Sequence, residues 1–207
     1  LMASAPAVSQ ANVYKNHTGD ETLEYSVSFT GPADVAIQVQ SGTVNYEGEA
    51  IVLKTTPGTA WQSGNVGIWA LSNTSSAPTL NLGKAGVTKD ISIDVYDNSG
   101  KEDIGVGVWA YGSNGQKGGV VNIEAENLQI NANAINSEMY GLYAQNRTST
   151  ATGDVATINV NATNTVVNAS SLNQEKDAGA LVVMSQGVMN INGNLEVKAA
   201  SAIIARG

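Results

Sequence analysis

Three aromatic side chains recur at matched places in this chain. Trp69, Trp109 and Tyr143 each follow an aliphatic residue and precede an alanine, in Val66-Gly67-Ile68-Trp69-Ala70, Val106-Gly107-Val108-Trp109-Ala110 and Tyr140-Gly141-Leu142-Tyr143-Ala144. Flat rings in a row can stack on sugar rings or on a partner's apolar surface, and exposed aromatics dominate the energetics of such contacts. Asparagines recur in a second series: Asn81, Asn122, Asn159 and Asn190, with Asn45 as an earlier member, each flanked by apolar residues. Aligned amides can hydrogen-bond from one repeat to the next, which is a structural role. Carboxylates gather in Asp94, Asp97, Glu102 and Asp103, around a glycine-containing turn. Hard oxygen ligands of this kind can hold calcium, but the spacing does not match the established twelve-residue loop. Asp97, Glu102 and Asp103 are therefore weak candidates, and no metal is expected. His17 is the only histidine, which argues against a Ser-His-Asp or metal-histidine site. Asp94 and Asp154 fall on different segments, so no repeat position carries the paired carboxylates of glycoside hydrolysis. No catalytic residue and no cofactor is expected.

The elements that must position these side chains are short strands. The glycine–aromatic segment returns as Gly179-Ala180-Leu181-Val182-Val183 and as Ser201-Ala202-Ile203-Ile204-Ala205. Spacing between copies is elastic, as expected where strands are fixed and loops vary. A third column alternates apolar and polar residues: Ile91-Ser92-Ile93-Asp94-Val95, Leu128-Gln129-Ile130-Asn131-Ala132, Val167-Asn168-Ala169 and Leu195-Glu196-Val197-Lys198-Ala199. The order is always asparagine strand, alternating strand, glycine–aromatic strand. Each shows the two-residue period of a half-buried strand, and the intervening segments are rich in Gly, Asn, Ser, Thr and Pro. Strands this short must stack on their equivalents in the next repeat. That predicts an all-β, right-handed parallel β-helix with three sheets, about five to six rungs and negligible helix.

Alternation then assigns directions. Ile68, Val108, Leu142, Leu181 and Ile203 face the core with Ala70, Ala110, Ala144, Val183 and Ala205. Trp69, Trp109, Tyr143, Val182 and Ile204 face outward as an exposed ladder. Loops from one corner of a solenoid commonly build its binding surface, which adds Trp61, Tyr111, Asn146 and Arg147 as candidate contacts. Residues 1–22 read as an irregular N-terminal segment, and residues 23–207 as the β-helix. The small residues within 1–11 suit either the end of a secretory signal peptide or a cloning remnant. The chain stops after a core strand without a polar cap, which predicts that further rungs or another domain follow.

Net charge is -8 and only 14% of residues are charged. An acidic surface with scattered Lys and Arg disfavours nucleic acid as a partner. Cysteine is absent, so stability must come from the stacked core. No apolar run is long enough to cross a membrane as a helix.

Over residues 35–207 the chain resembles the passenger domain of bacterial autotransporter adhesins. The Gly67-Ile68-Trp69-Ala70 and Gly141-Leu142-Tyr143-Ala144 strands, each followed by a polar loop and a Val121-Asn122-Ile123 type of strand, are similar to repeats in large surface proteins of Gram-negative bacteria. The resemblance implies a secreted β-helical stalk displayed on the bacterial surface and anchored in the outer membrane through a C-terminal domain absent here. It implies attachment to host cells, matrix or other bacteria, with a surface protein or glycan as partner and self-association in biofilm or aggregation, and hence a role in virulence. The alternatives are a β-helical polysaccharide-degrading enzyme, and a structural stalk or trimeric fibre head without its own ligand.

Overall fold

The computed structural model describes residues 12–56, 65–72, 77–97, 104–113, 116–147 and 155–206. Among them lie sixteen strands and no helix. The first rung is β1 (Val13–His17), β2 (Glu21–Leu23) and β3 (Val27–Pro32). The second is β4 (Val35–Val39), β5 (Thr43–Tyr46) and β6 (Ala50–Thr56), and the third β7 (Val66–Ser72), β8 (Thr79–Leu82) and β9 (Asp90–Asp97). In the later rungs the last two segments fuse. Thus β10 (Ile104–Gly112) leads to β11 (Val120–Ala134), β12 (Glu138–Asn146) to β13 (Thr157–Ser171), and β14 (Ala178–Met184) to β15 (Val188–Lys198). The series ends with β16 (Ser201–Arg206).

Every pairing is parallel, and equivalent residues stack in register: Ile37, Ile68, Val108, Leu142, Leu181 and Ile203 form one such column. The molecule is a parallel β-helix. One sheet holds β1, β4, β7, β10, β12, β14 and β16. The other two ladders do not form separate sheets as expected, because β11, β13 and β15 run through both and join them into one bent sheet. The reason lies at the corner. Between β8 and β9 the chain turns through Gly83 and Gly86, both at positive φ (90° and 72°), where only glycine is unstrained. The equivalent residues of β11, around Ala125-Glu126, stay extended.

The inward columns form the core, with Ile37, Ile68, Val108 and Leu142 fully buried against Ile93, Ile130 and Val167. The glycine of the recurring motif follows from this packing. A Cβ on Gly107 would lie 2.5 Å from Ile130 Cγ2 and 2.6 Å from the Gly141 carbonyl oxygen. Ile203 and Ala205, expected inside, are exposed (Ile203 by 70%). They occupy the inward column, but the last described rung has a neighbour on one side only.

The coil also starts earlier than expected. Residues 13–22, read as irregular, contain β1 and the start of β2, both paired to the second rung. This rung hides because the inward positions of β1 are not aliphatic, although Leu23 of β2 and Val27 of β3 join the core. Tyr14 stacks on Phe29 (centroids 4.0 Å, 20°) and Lys15, opposite Ile37, reaches to 5.6 Å from the Tyr14 ring. In β1 polar and aromatic groups thus replace the aliphatics of the later rungs.

Candidate binding surface

The outward aromatic column is in place. Trp69, Trp109, Tyr143, Val182 and Ile204 are in register across β7, β10, β12, β14 and β16, preceded by Gln38 on β4. Parallel pairing puts successive rungs roughly 4.8 Å apart, which matches the separation of stacked rings. Trp69 and Trp109 stack at 5.1 Å and 7°, and Trp109 and Tyr143 at 5.4 Å and 11°. Tyr111 meets Trp109 edge-on at 5.3 Å, and Tyr140 meets Tyr143 edge-on at 5.0 Å.

The column is not the bare exposed row that alternation suggested. Val35, Val66, Val106, Tyr140, Tyr143 and Val182 are buried together, with Trp69, Trp109, Met184 and Ile204 partly buried against them. This second apolar layer lies on the outer side of the same sheet that covers the core. Tyr143 is only 2% exposed, and its hydroxyl donates to Met184 Sδ at 3.2 Å. Burial pushes the Tyr143 phenol well above its ordinary range, and burial with the Glu138 hydrogen bond (2.9 Å) does the same to Tyr140. The Trp109 indole nitrogen is buried without an acceptor among the described residues. Tyr143 therefore supports the row, and the accessible part is the half-buried side chains of Trp69, Trp109 and Tyr111, with both ring faces of Trp109 covered by its stacked neighbours.

The corner candidates separate in the same way. Asn146 is buried, and its Oδ1 accepts from the Ala156 amide at 2.8 Å. It ties down a corner and does not reach solvent. Arg147 is exposed, with its backbone amide bonded to Gly112 O at 2.9 Å. Trp61 lies outside the described residues.

The asparagine column forms a continuous ladder. Asn45 Nδ2 donates to Thr22 Oγ1 at 3.0 Å, Asn81 to Asn45 at 2.7 Å, and Asn122, Asn159 and Asn190 each to the preceding asparagine at 2.8 Å. Every amide donates toward the preceding rung. Two further ladders escaped the sequence reading. Asn194 donates to Asn164, Asn164 to Asn127 and Asn127 to Asp90, and Asn168 donates to Asn131 and Asn131 to Asp94. Each begins on an aspartate, which accepts and cannot donate when ionised, in keeping with the direction of the chain of bonds. Their signal was available: Asn127 and Asn131 repeat as Asn164 and Asn168 at one common step.

Asp97 is buried and accepts from Ser137 Oγ at 2.6 Å, so its carboxylate serves the fold. Glu102 and Asp103 lie outside the described residues. No cluster of three His, Cys, Asp or Glu suited to a metal occurs among the described residues. His17 is not in an irregular stretch but buried in β1, with Nδ1 2.6 Å from Glu21 Oε2 and Nε2 2.8 Å from the Tyr46 hydroxyl. A carboxylate–histidine–hydroxyl row has the order of a catalytic relay. Tyr46 is fully buried and its phenol is pushed up by burial and by the Glu21 charge. No substrate can reach that oxygen, so the row acts as a polar plug of the first two rungs.

No family model matches this sequence, and searches of curated proteins and of solved structures found no significant relative.

Proposed function

We propose that this chain is an adhesive segment of a bacterial surface protein of the autotransporter kind, working by extended surface complementarity and not by chemistry. The observation that carries this reading is the outward column of Gln38, Trp69, Trp109, Tyr143, Val182 and Ile204, repeated at one place on six successive rungs. Its half-buried members Trp69, Trp109 and Ile204, with Tyr111 beside them, offer several weak contacts along one line, and linked contacts add up to strong attachment. The partner is a protein or glycan of a host cell, of matrix or of another bacterium, reached from the outer membrane through an anchoring domain outside this chain. Against this stands a spacer reading, favoured by the burial of Tyr143, in which the rings serve rung-to-rung stacking alone.

The test is attachment of beads carrying the chain to cultured host cells, to immobilised matrix and to one another. Binding above that of beads carrying an unrelated acidic protein supports adhesion. Replacing Trp69 and Trp109 together by Leu keeps an apolar filler but removes the accessible indole edges, and should lower attachment by roughly threefold or more with an unchanged circular dichroism spectrum. Attachment at control level in all three formats leaves the spacer reading, and release of reducing ends from polysaccharides would put an enzyme in its place.

A further inference from the structure

The outer face of the alternating ladder carries a second feature, remote in the fold from the aromatic column. Lys54 and Thr56 of β6, Asp94, Val95 and Tyr96 of β9, and Asn131 and Asn133 of β11 line a groove of about 360 Å³. Three successive rungs contribute, with Lys54 opposite Asp94 and Tyr96 opposite Asn133 in the strand register. Tyr96 is 42% exposed.

Several exposed polar side chains of this coil are tied to their neighbours. Lys84, Lys89 and Lys198 each reach a glutamate at 2.6–2.8 Å, and mid-ladder asparagines such as Asn81, Asn122 and Asn159 use both donor and acceptor. The groove differs from these. Lys54 faces Asp94 without forming an ion pair, although opposite charges across a pair of strands ordinarily attract. Asp94 spends one carboxylate oxygen on Asn131 (2.6 Å), and Asn133 spends its Oδ1 on Ser170 (2.6 Å). The other Asp94 oxygen, the Lys54 ammonium, the Tyr96 hydroxyl and the Asn133 amide N–H make no bond among the described residues. An exposed ring bearing its own hydroxyl thereby shares the groove with an acceptor, a cation and an amide donor, all carried on paired strands.

We propose that this groove binds a segment of a neutral oligosaccharide. A ring face takes the apolar C–H side of a sugar, while a carboxylate oxygen accepts from hydroxyls and the ammonium and amide donate to them. Concave sites with an apolar platform and a few convergent polar groups bind small ligands in this manner. A polyanion is disfavoured by Asp94 in the groove and by the net charge of -8.

The experiment is a titration of the ¹⁵N-labelled chain, followed by amide chemical shifts, with cellotetraose, with N-acetylated chitotetraose and with a heparin tetrasaccharide. Saturable shifts at Tyr96, Asn131 and Asn133 with at least one neutral probe are expected. Tyr96→Ala should weaken that binding about tenfold, and Asp94→Asn about threefold, while Tyr96→Phe changes it less than about twofold. Lys54→Ala, at an exposed position, is a second variant should Tyr96→Ala disturb the strand. No saturable shift at the groove with either neutral probe, wild-type affinity in both Tyr96→Ala and Lys54→Ala, or binding of heparin alone overturns the proposal. The result is separable from the adhesion reading, because replacing Trp69 and Trp109 should leave this titration unchanged.

Discussion

Trp109→Ala removes the central ring of the outer column. That ring stacks on Trp69 at 5.1 Å and on Tyr143 at 5.4 Å, and meets Tyr111 edge-on at 5.3 Å. Truncating a fully buried large aromatic costs about 3–5 kcal/mol, and each aromatic pair contributes about 0.5–1.5 kcal/mol of such a total. Two features of Trp109 lower the figure. The side chain is only partly buried, and its indole N–H is buried without an acceptor among the described residues, a defect worth roughly 1 kcal/mol that the substitution removes. The expected loss is about 2–3 kcal/mol. In a chain of this size that is a fall in Tm of about 4–12 °C. Far-UV circular dichroism against temperature and urea reads the loss without relying on indole fluorescence. Trp109→Phe keeps a flat ring in the column and discards the orphan N–H, so it should stay within about 1 kcal/mol of the parent. Trp69→Ala combined with Trp109→Ala should cost less than the two single losses added, because the two share one contact. A Trp109→Ala chain within about 0.5 kcal/mol of the parent would refute the stacked column. So would a Trp109→Phe chain as damaged as Trp109→Ala, since the stacking could not then be the source.

Two other expectations follow from the same columns. Asn122 sits mid-ladder, accepting from Asn159 and donating to Asn81 at 2.8 Å each. Asn122→Asp sets two acceptors against each other toward Asn81 and should lower the urea midpoint by the equivalent of about 1–2 kcal/mol at neutral pH. The deficit should shrink at acid pH, where the carboxyl regains a donor, and an Asp variant as stable as the parent at pH 7 would show that the ladder is not formed. The phenols of Tyr46, Tyr140 and Tyr143 are all raised, chiefly by burial. A raised folded-state value means that stability is complete below the unfolded value near 10 and is lost as pH climbs above it, when the unfolded chain alone ionises. Unfolding midpoints measured from pH 8 to 11 should therefore fall only above about pH 10, with part of the tyrosinate absorbance appearing only on unfolding. A flat profile to pH 11 would contradict the burial of these rings.

Much of the architecture was legible in the residue order. In a stacked coil each rung repeats its neighbour's environment, so Ile68, Val108 and Leu142, or Asn81, Asn122 and Asn159, must be alike, and alternation tells inside from outside. The first rung was not legible for the converse reason. Its strand β1 carries Tyr14, Lys15 and His17 where the others carry aliphatics, alanine or glycine, and so breaks the pattern that reveals the rest. Alternation also gives only a direction. It sends Tyr143 out of the coil, yet it cannot say that Tyr140, Val106 and Val182 gather there and bury it, or that Asn146 turns inward onto the Ala156 amide. The groove at Tyr96 is further from the linear order still. Lys54, Tyr96 and Asn133 belong to three different passes of the chain and become neighbours only when parallel pairing sets the passes side by side. Periodicity is local and survives in the sequence, whereas burial and convergence depend on which distant segments arrive at the same face, and that is settled by the register of the stacked strands.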